Sequence, residues 1–443
     1  MGLTATTSIR AQTDAQAPAT AEYEGPSVLT RGGMPGALGG RKLPNLAFRP
    51  FIGLTGTWSD GLQSARTNKD GKIAPLASWG EQAIAGAYFY HSSRNTQIGL
   101  DYRIGARHYS QAQGQDGINQ NLSLGLSHRL GRSAVFTLSE SAAYVSDGTG
   151  FMGANLLDFA NRPSNLSNGS EIFNDPVLQL STNVGLTLNV TPRFSIHLGG
   201  GYGLYRHRST ALYGNTIYSA GGDVAYRVSR GFTTGISYGF NKYAFNHSFG
   251  SSFLHSVSLI NSIRLSRNWE FSTSAGVFQT ENLFIGVVAL DPLVAILTGR
   301  FTGAAVVYNK RYGPTITASL RRSFRNGGFA MGYIRGTTPG NGVYLTSQEE
   351  GGNISYSYAG FKSWGLGVSA VYNRISSLTQ SLKPYSSASG SFGASRNLRF
   401  GMSLVMSYAY QKYFTNFQSG RRQSNSVSVG FAWSPGDLPL KIF

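Results

Sequence analysis

The feature that most constrains the fold is a period of two in the placement of large apolar side chains. From Phe194 to Leu204 these residues alternate with serine, histidine and glycine, and the same pattern recurs in 398–411 and in 364–372. Successive side chains of a β-strand point to opposite faces, so this alternation predicts long amphipathic strands. Helical spacing would instead place the same apolar residues on all sides of the element.

The composition of the two faces favours a membrane sheet over a soluble one. The polar face consists mainly of Ser, Gly, Thr, Ala and Asn, and only 13% of all residues are charged, whereas soluble domains carry roughly 25%. The apolar face ends in Tyr, Phe or Trp, which is the girdle pattern of membrane barrels. The chain has no Cys, which excludes a disulfide framework and thiolate sites.

Eight short segments separate the alternating stretches, and each combines turn-forming residues with one basic residue. The basic residues are Arg94, Arg132, Arg193, Arg230, Arg267, Arg311, Lys362 and Arg396. The remaining connections are longer, for example 146–176, 280–300 and 326–351. This asymmetry predicts short periplasmic turns and long extracellular loops. We expect the eight basic residues to anchor the periplasmic rim to lipid phosphates.

The number of hairpins predicts the size of the barrel. Eight hairpins, an opening strand near 48–58 and a closing strand near 424–433 give about eighteen strands, with 16–18 compatible with the pattern. We therefore predict an all-β fold, a transmembrane antiparallel up-and-down β-barrel over residues 46–443. Residues 1–45 read as a flexible leader, which lacks the apolar core of a signal peptide. A β-propeller is the alternative, but its blades need four short strands each.

In these features the chain resembles the Gram-negative outer-membrane β-barrel proteins, particularly the large porin-like barrels, over about residues 47–443. Members of that family usually end in an amphipathic strand with a terminal Phe that the barrel-assembly machinery recognises. The resemblance assigns this signal to Val427, Val429, Phe431, Trp433 and Phe443, although residues 434–437 interrupt the strand. It also implies an integral outer-membrane location, contact with outer-membrane lipids, and transport.

Arginine on the small-residue face is the most informative chemical signal. If that face lines the lumen, the acids on it are Asp101, Asp223 and Glu270, and the arginines are Arg49, Arg103, Arg107, Arg129, Arg227, Arg264, Arg321, Arg325 and Arg399. Arginine in a water-filled pore favours anions, and its guanidinium matches carboxylate and phosphate groups. Alternatively, pairs such as Asp101 with Arg103 or Asp223 with Arg227 only brace the wall.

We accordingly predict an outer-membrane channel that passes small solutes, anions or acidic saccharides, by diffusion, with 281–300 folding inward as a constriction. An exopolysaccharide-export barrel, a structural or adhesive barrel with a closed lumen, and an outer-membrane hydrolase are the alternatives. The pattern around Ser237 matches Gly-x-Ser-x-Gly, but it lies within an alternating stretch and not at a strand-to-helix turn. We expect no enzymatic activity, metal, cofactor or nucleic-acid partner, and the oligomeric state stays open.

Overall fold

A computed structural model describes residues 46–67, 73–111, 116–146, 175–210, 212–246, 249–339, 344–361, 364–379, 383–414 and 422–435. The predicted leader, 1–45, and the terminal residue Phe443 lie outside these ranges. The first described strand begins at Leu46.

Eighteen antiparallel strands follow one another around a single sheet, each bonded to the next in sequence. The strands are β1 (Leu46–Thr67), β2 (Ile73–Ser92), β3 (Thr96–Tyr109), β4 (Gly117–Leu130), β5 (Ala134–Val145), β6 (Val177–Thr191), β7 (Phe194–His207), β8 (Gly214–Ser229), β9 (Phe232–Asn246), β10 (Gly250–Arg264), β11 (Trp269–Ala289), β12 (Thr302–Phe324), β13 (Gly327–Thr338), β14 (Ser347–Phe361), β15 (Trp364–Ser377), β16 (Tyr385–Asn397), β17 (Met402–Phe414) and β18 (Arg422–Trp433).

The sheet closes on itself because β1 pairs with β18 as well as with β2. Thr57 lies opposite Ser428, and their hydroxyl groups are hydrogen-bonded at 2.8 Å. Closure removes the two free edges that an open sheet would expose. The predicted eighteen-stranded up-and-down barrel is confirmed.

The two ends of the barrel differ in the length of their connections. At one end, which we call the turn rim, eight hairpins join β2–β3, β4–β5 and so on through β16–β17 by two to four residues. At the other end, the loop rim, the connections include 146–176 and 290–301. This is the predicted polarity, with short turns on one side and long loops on the other.

The predicted turn at 311–313 is wrong, because β12 runs without interruption through it. Gly313 lies opposite Phe278 and Pro314 opposite Val277 in a continuous ladder with β11. On its other side β12 pairs with β13 only from Ile316 to Phe324. Proline is tolerated on such an unpaired edge, where no ladder hydrogen bond is lost. The true turn follows Phe324, and residues 327–338 form strand β13.

The predicted inward fold of 281–300 is not what the structure shows. β11 continues to Ala289, and a short helix, α1 (Pro292–Thr298), follows. Asp291 caps the helix by accepting a hydrogen bond from the Leu293 amide at 2.9 Å. Leu297 is 85% exposed, and Ala295 is the buried residue of the helix, so α1 does not pack into the barrel. Among the described residues, the helices are too short or too polar for a transmembrane helix.

The outward face of the wall is apolar. Its exposed residues include Leu54, Leu198, Ile236, Val277 and Phe431, each at least half exposed. A closed barrel with such an exterior satisfies all its backbone groups inside hydrocarbon, which is how strands span a membrane. The architecture is that of an integral outer-membrane protein, as predicted. Glu140 is an exception on this face, since it is exposed between Leu124 and Thr182 of the neighbouring strands.

Candidate functional site: the lumen wall

The inner face consists of residues that lie opposite one another on neighbouring strands and are mostly buried. For example, Asp223 on β8 lies opposite His197 on β7 and Ser237 on β9, and is 5% exposed. The neighbours of these residues along each strand, such as Leu198 and Val224, point outward and are exposed. The same alternation assigns every described strand residue to one face.

The inner face carries more arginines than carboxylates. Its described arginines are Arg49, Arg103, Arg107, Arg129, Arg227, Arg264, Arg311 and Arg321, and its described carboxylates are Asp101, Asp223, Glu270 and Glu349. Eight against four leaves a formal excess of four positive charges on the described inner wall. No lysine side chain described in the strands lies on this face.

Three arginines occupy places that differ from those predicted. Arg325 and Arg399 lie in the turns that follow β12 and β16, not on the lumen wall. Arg311 was assigned to a turn, but it lies in β12 on the inner face, opposite Thr280. The error for Arg311 arises because Gly313 is a turn former, although the ladder with β11 continues through it. Arg325 and Arg399 were placed on the wall because the alternating pattern was continued past the end of β12 and ahead of the start of β17.

Asp101 and Arg103 form a buried ion pair on the inner face of β3. The Arg103 Nε donates to Asp101 Oδ1 at 3.0 Å, and a second, shorter contact makes the pair bidentate. The two side chains are 8% and 5% exposed. Bidentate hydrogen bonding of this kind strengthens the ion pair, but it occupies two of the guanidinium nitrogens with Asp101. Arg103 therefore braces the wall and offers little of its charge to a passing solute.

Other inner arginines lie closer to the turn rim and are less enclosed. Glu270, at the start of β11, lies directly between Arg264 on β10 and Arg321 on β12. One carboxylate between two guanidiniums leaves this part of the wall positive. Arg321, near the turn rim, and Arg311, in the part of β12 towards the loop rim, are both exposed on the inner face, so their charge is available to solutes in the lumen.

His197, Asp223 and Ser237 lie side by side on the inner face but are not arranged as a catalytic triad. His197 Nδ1 lies 3.3 Å from Asp223 Oδ1, so Asp223 pairs with a histidine on the neighbouring strand. Ser237 Oγ instead donates to the Ser258 carbonyl at 3.4 Å. Asp223 lies between the serine and the histidine, whereas a triad needs histidine in the middle. The described residues include no group of three or more His, Asp or Glu placed to hold a metal ion.

Two loop-rim segments enter the lumen and pack on its inner wall. Leu345, between β13 and β14, and Leu378, after β15, join an apolar cluster with inner residues of β8 to β11. The wall residues of this cluster are Ile217, Tyr243, Phe245, Leu254, Phe278 and Phe284. Leu378 N donates to Thr346 O at 2.9 Å, which joins the two segments to each other. We call 344–346 together with 378–379 the inner latch.

Hydrogen bonds also hold the inner latch. The hydroxyl groups of Thr346 and Ser252 are bonded to each other, and Ser252 Oγ donates to Asn282 Oδ1 at 2.7 Å. Tyr344 donates to the Lys383 carbonyl at 2.6 Å and stacks on Tyr385. Burial raises the pKa of Tyr344 to about 12, so its phenol stays a donor near neutral pH. The latch narrows the lumen at a place that the sequence pattern did not reveal.

Most of the eight basic residues assigned to turns lie at the turn rim, and the alternating residues near the C-terminus lie in β18. Arg94, Arg132, Arg193, Arg230 and Arg267 lie in turn-rim hairpins. Arg396 lies instead at the end of β16 on the outward face, 5.5 Å from the centre of the Trp364 ring. Lys362 lies outside the described residues. Val427, Val429, Phe431 and Trp433 are all on the outward face of β18.

The chain has only distant similarity to the known proteins with which it was compared. No protein-family model matches the sequence, and no curated protein matches it. Among solved structures, Pseudomonas aeruginosa OccK2 (OpdF) is 10% identical, with a TM-score of 0.42 over 89% of this chain and 98% of that chain. Acinetobacter baumannii OccAB4 is also 10% identical, with a TM-score of 0.39 over 88% and 98%. The barrel assignment depends on the strand pairing itself and not on these similarities.

Proposed function

We propose that the protein is an outer-membrane channel through which small anionic solutes diffuse. The observation that carries the proposal is the excess of arginine over carboxylate on the described inner wall. At eighteen strands a barrel is too wide for wall side chains to fill, so a channel or a plugged lumen is expected. Fixed positive charge in such a lumen attracts anions and repels cations.

Arg311 and Arg321 are the residues on which this selectivity would depend most. Both are exposed on the inner face, and neither takes part in the buried pair that holds Arg103. Solutes that carry carboxylate or phosphate groups would bind such guanidiniums in a bidentate manner. Acidic saccharides fall within this class, as do small organic acids.

Reversal potentials in a KCl gradient across a planar bilayer test the proposal. Wild-type protein should prefer chloride, and the double variant Arg311→Glu/Arg321→Glu should shift the reversal potential towards potassium. Arg206→Glu is the matched control, because Arg206 lies on the outward face of β7 and should leave selectivity unchanged. Cation preference of the wild type, or no conductance from correctly folded protein, would contradict the proposal.

A further inference from the structure

A charged row crosses the outer surface of the barrel near the loop rim, away from the lumen. Arg335 on β13, Glu350 on β14 and Arg374 on β15 lie directly opposite one another on the outward face. Two guanidiniums and one carboxylate leave the row positively charged. We call these three residues the outer charged row.

Glu350 does not satisfy both arginines. Its Oε1 accepts a hydrogen bond from the Tyr333 hydroxyl at 2.9 Å. The Nε–H of Arg335 is buried and has no hydrogen-bond partner within the described part of the chain. One carboxylate cannot neutralise two guanidiniums, and the Arg374 side chain is exposed. The row can therefore attract an added anionic group.

A groove begins on the membrane side of the outer charged row. Gly352 lies between Tyr333 and Tyr372, which are 37% and 48% exposed. A Cβ added to Gly352 would meet only the Gly332 carbonyl oxygen, at 3.5 Å, so neither tyrosine ring fills the space. The next outward residue of β14 towards the turn rim is the apolar Ile354, 44% exposed. The groove thus has a tyrosine on each side and an apolar residue at its end towards the turn rim.

We propose that this surface binds a phosphate-bearing lipid of the outer leaflet. The phosphate would lie on Arg335 and Arg374, and an acyl chain would lie in the groove beside Gly352. Long loops mark the external side of an outer-membrane barrel, so the row lies on the side of the outer-leaflet headgroups. Guanidinium matches phosphate geometrically, and tyrosine is enriched at this interface. The proposal concerns the outer wall and holds whether or not the lumen conducts.

Native mass spectrometry of the detergent-solubilised protein tests the proposal with two titrated lipids. One is a bis-phosphorylated, acylated glucosamine disaccharide, and the other is the same glycolipid without its phosphates. Wild type should bind the first and bind the second much more weakly. Arg335→Gln/Arg374→Gln should raise the dissociation constant by about fivefold for each charge removed. Gly352→Leu, which keeps both charges and fills the groove, should also weaken binding.

Arg206→Gln is the control, since it removes an outward, loop-side arginine of β7 that is not part of the row. It should bind the phosphorylated glycolipid as wild type does. Equal binding of the two glycolipids by wild type would overturn the proposal, and this comparison needs no variant to fold. Displacement of the lipid by millimolar inorganic phosphate, together with unchanged binding by Gly352→Leu, would show a free-phosphate site and would also overturn it.

Discussion

Thr346 and Ser252 are hydrogen-bonded through their hydroxyl groups at 2.5 Å, although they lie 94 positions apart in the sequence. The bond ties a loop-rim segment to the inner face of β10, and Leu345 adds apolar contacts beside it. The lumen is thus narrowed by a segment that is attached to the wall by few polar contacts. Each such hydrogen bond contributes about 1 kcal/mol.

Removal of this hydrogen bond should loosen the inner latch. In Ser252→Ala/Thr346→Val both hydroxyl groups are lost, so little buried polarity is left unsatisfied and the fold should persist. We expect larger or noisier single-channel conductance, with the population of displaced latch raised about fivefold for a loss of ~1 kcal/mol. Ser369→Ala/Ser391→Ala is the control, because it removes a hydroxyl pair of 2.6 Å elsewhere on the inner wall. Identical conductance of the two double variants would contradict this role.

The buried pair of Asp101 and Arg103 should matter more for stability than for permeation. Asp101→Asn leaves the Arg103 charge buried without its carboxylate and should reduce the free energy of unfolding by about 3–5 kcal/mol. Asp101→Leu/Arg103→Met removes both charges and should recover most of that loss. Urea titrations of protein refolded in lipid vesicles would measure the midpoints. If Asp101→Asn were as stable as wild type, the ion pair would not be needed for stability.

Closure of the barrel should depend on Gly430. A Cβ at this position would lie 2.2 Å from the Leu54 carbonyl oxygen on β1. Gly430→Val should therefore prevent the pairing of β18 with β1 and abolish the folded, heat-modifiable form on gels. Gly56→Ala is the control in the same seam, because its added Cβ would meet only a carbonyl oxygen at 3.9 Å. Normal folding of Gly430→Val would show that the two strands can separate enough to admit it.

Alkaline pH should weaken the contact made by Tyr344. Burial raises the pKa of its phenol from 10.0 to about 12, so folding favours the neutral form. The stabilisation is complete below about pH 10 and is lost as the pH rises towards 12. The unfolding midpoint of wild type should therefore fall relative to that of Tyr344→Phe over this interval. If the unfolding midpoints of the two proteins changed by the same amount between pH 10 and 12, the raised pKa of Tyr344 would be contradicted.

The residues of the inner and outer faces could be predicted from the sequence, because the alternation depends only on neighbouring residues within one strand. Arg227 and Arg264 could be assigned to the inner face from their strand neighbours alone, since side chains two apart share a face. Turn-forming residues predicted the hairpins, except at Gly313 and Pro314, which lie in the half of β12 that pairs with β11 but not with β13. Local composition does not distinguish a turn from a strand edge that tolerates proline.

The interior of the lumen could not be predicted in the same way. Leu345 and Leu378 belong to one apolar cluster with Ile217 and Tyr243, which are far away in the chain. Such contacts depend on how loops return into the barrel, and no periodicity encodes that path. The opposite prediction, that 281–300 bends inward, failed because its apolar residues lie in β11 and in the exposed helix α1.

The seam between β1 and β18 has a consequence for biogenesis. Thr57 and Ser428 are 371 positions apart, so this pairing waits until nearly the whole barrel sequence has been delivered to the membrane. Until then the nascent sheet presents two unsatisfied edges, which are templates for aggregation. The chain must be shielded throughout this interval, and a product truncated before β18 would stay open. Folding of the described barrel is therefore complete only when β1 and β18 meet.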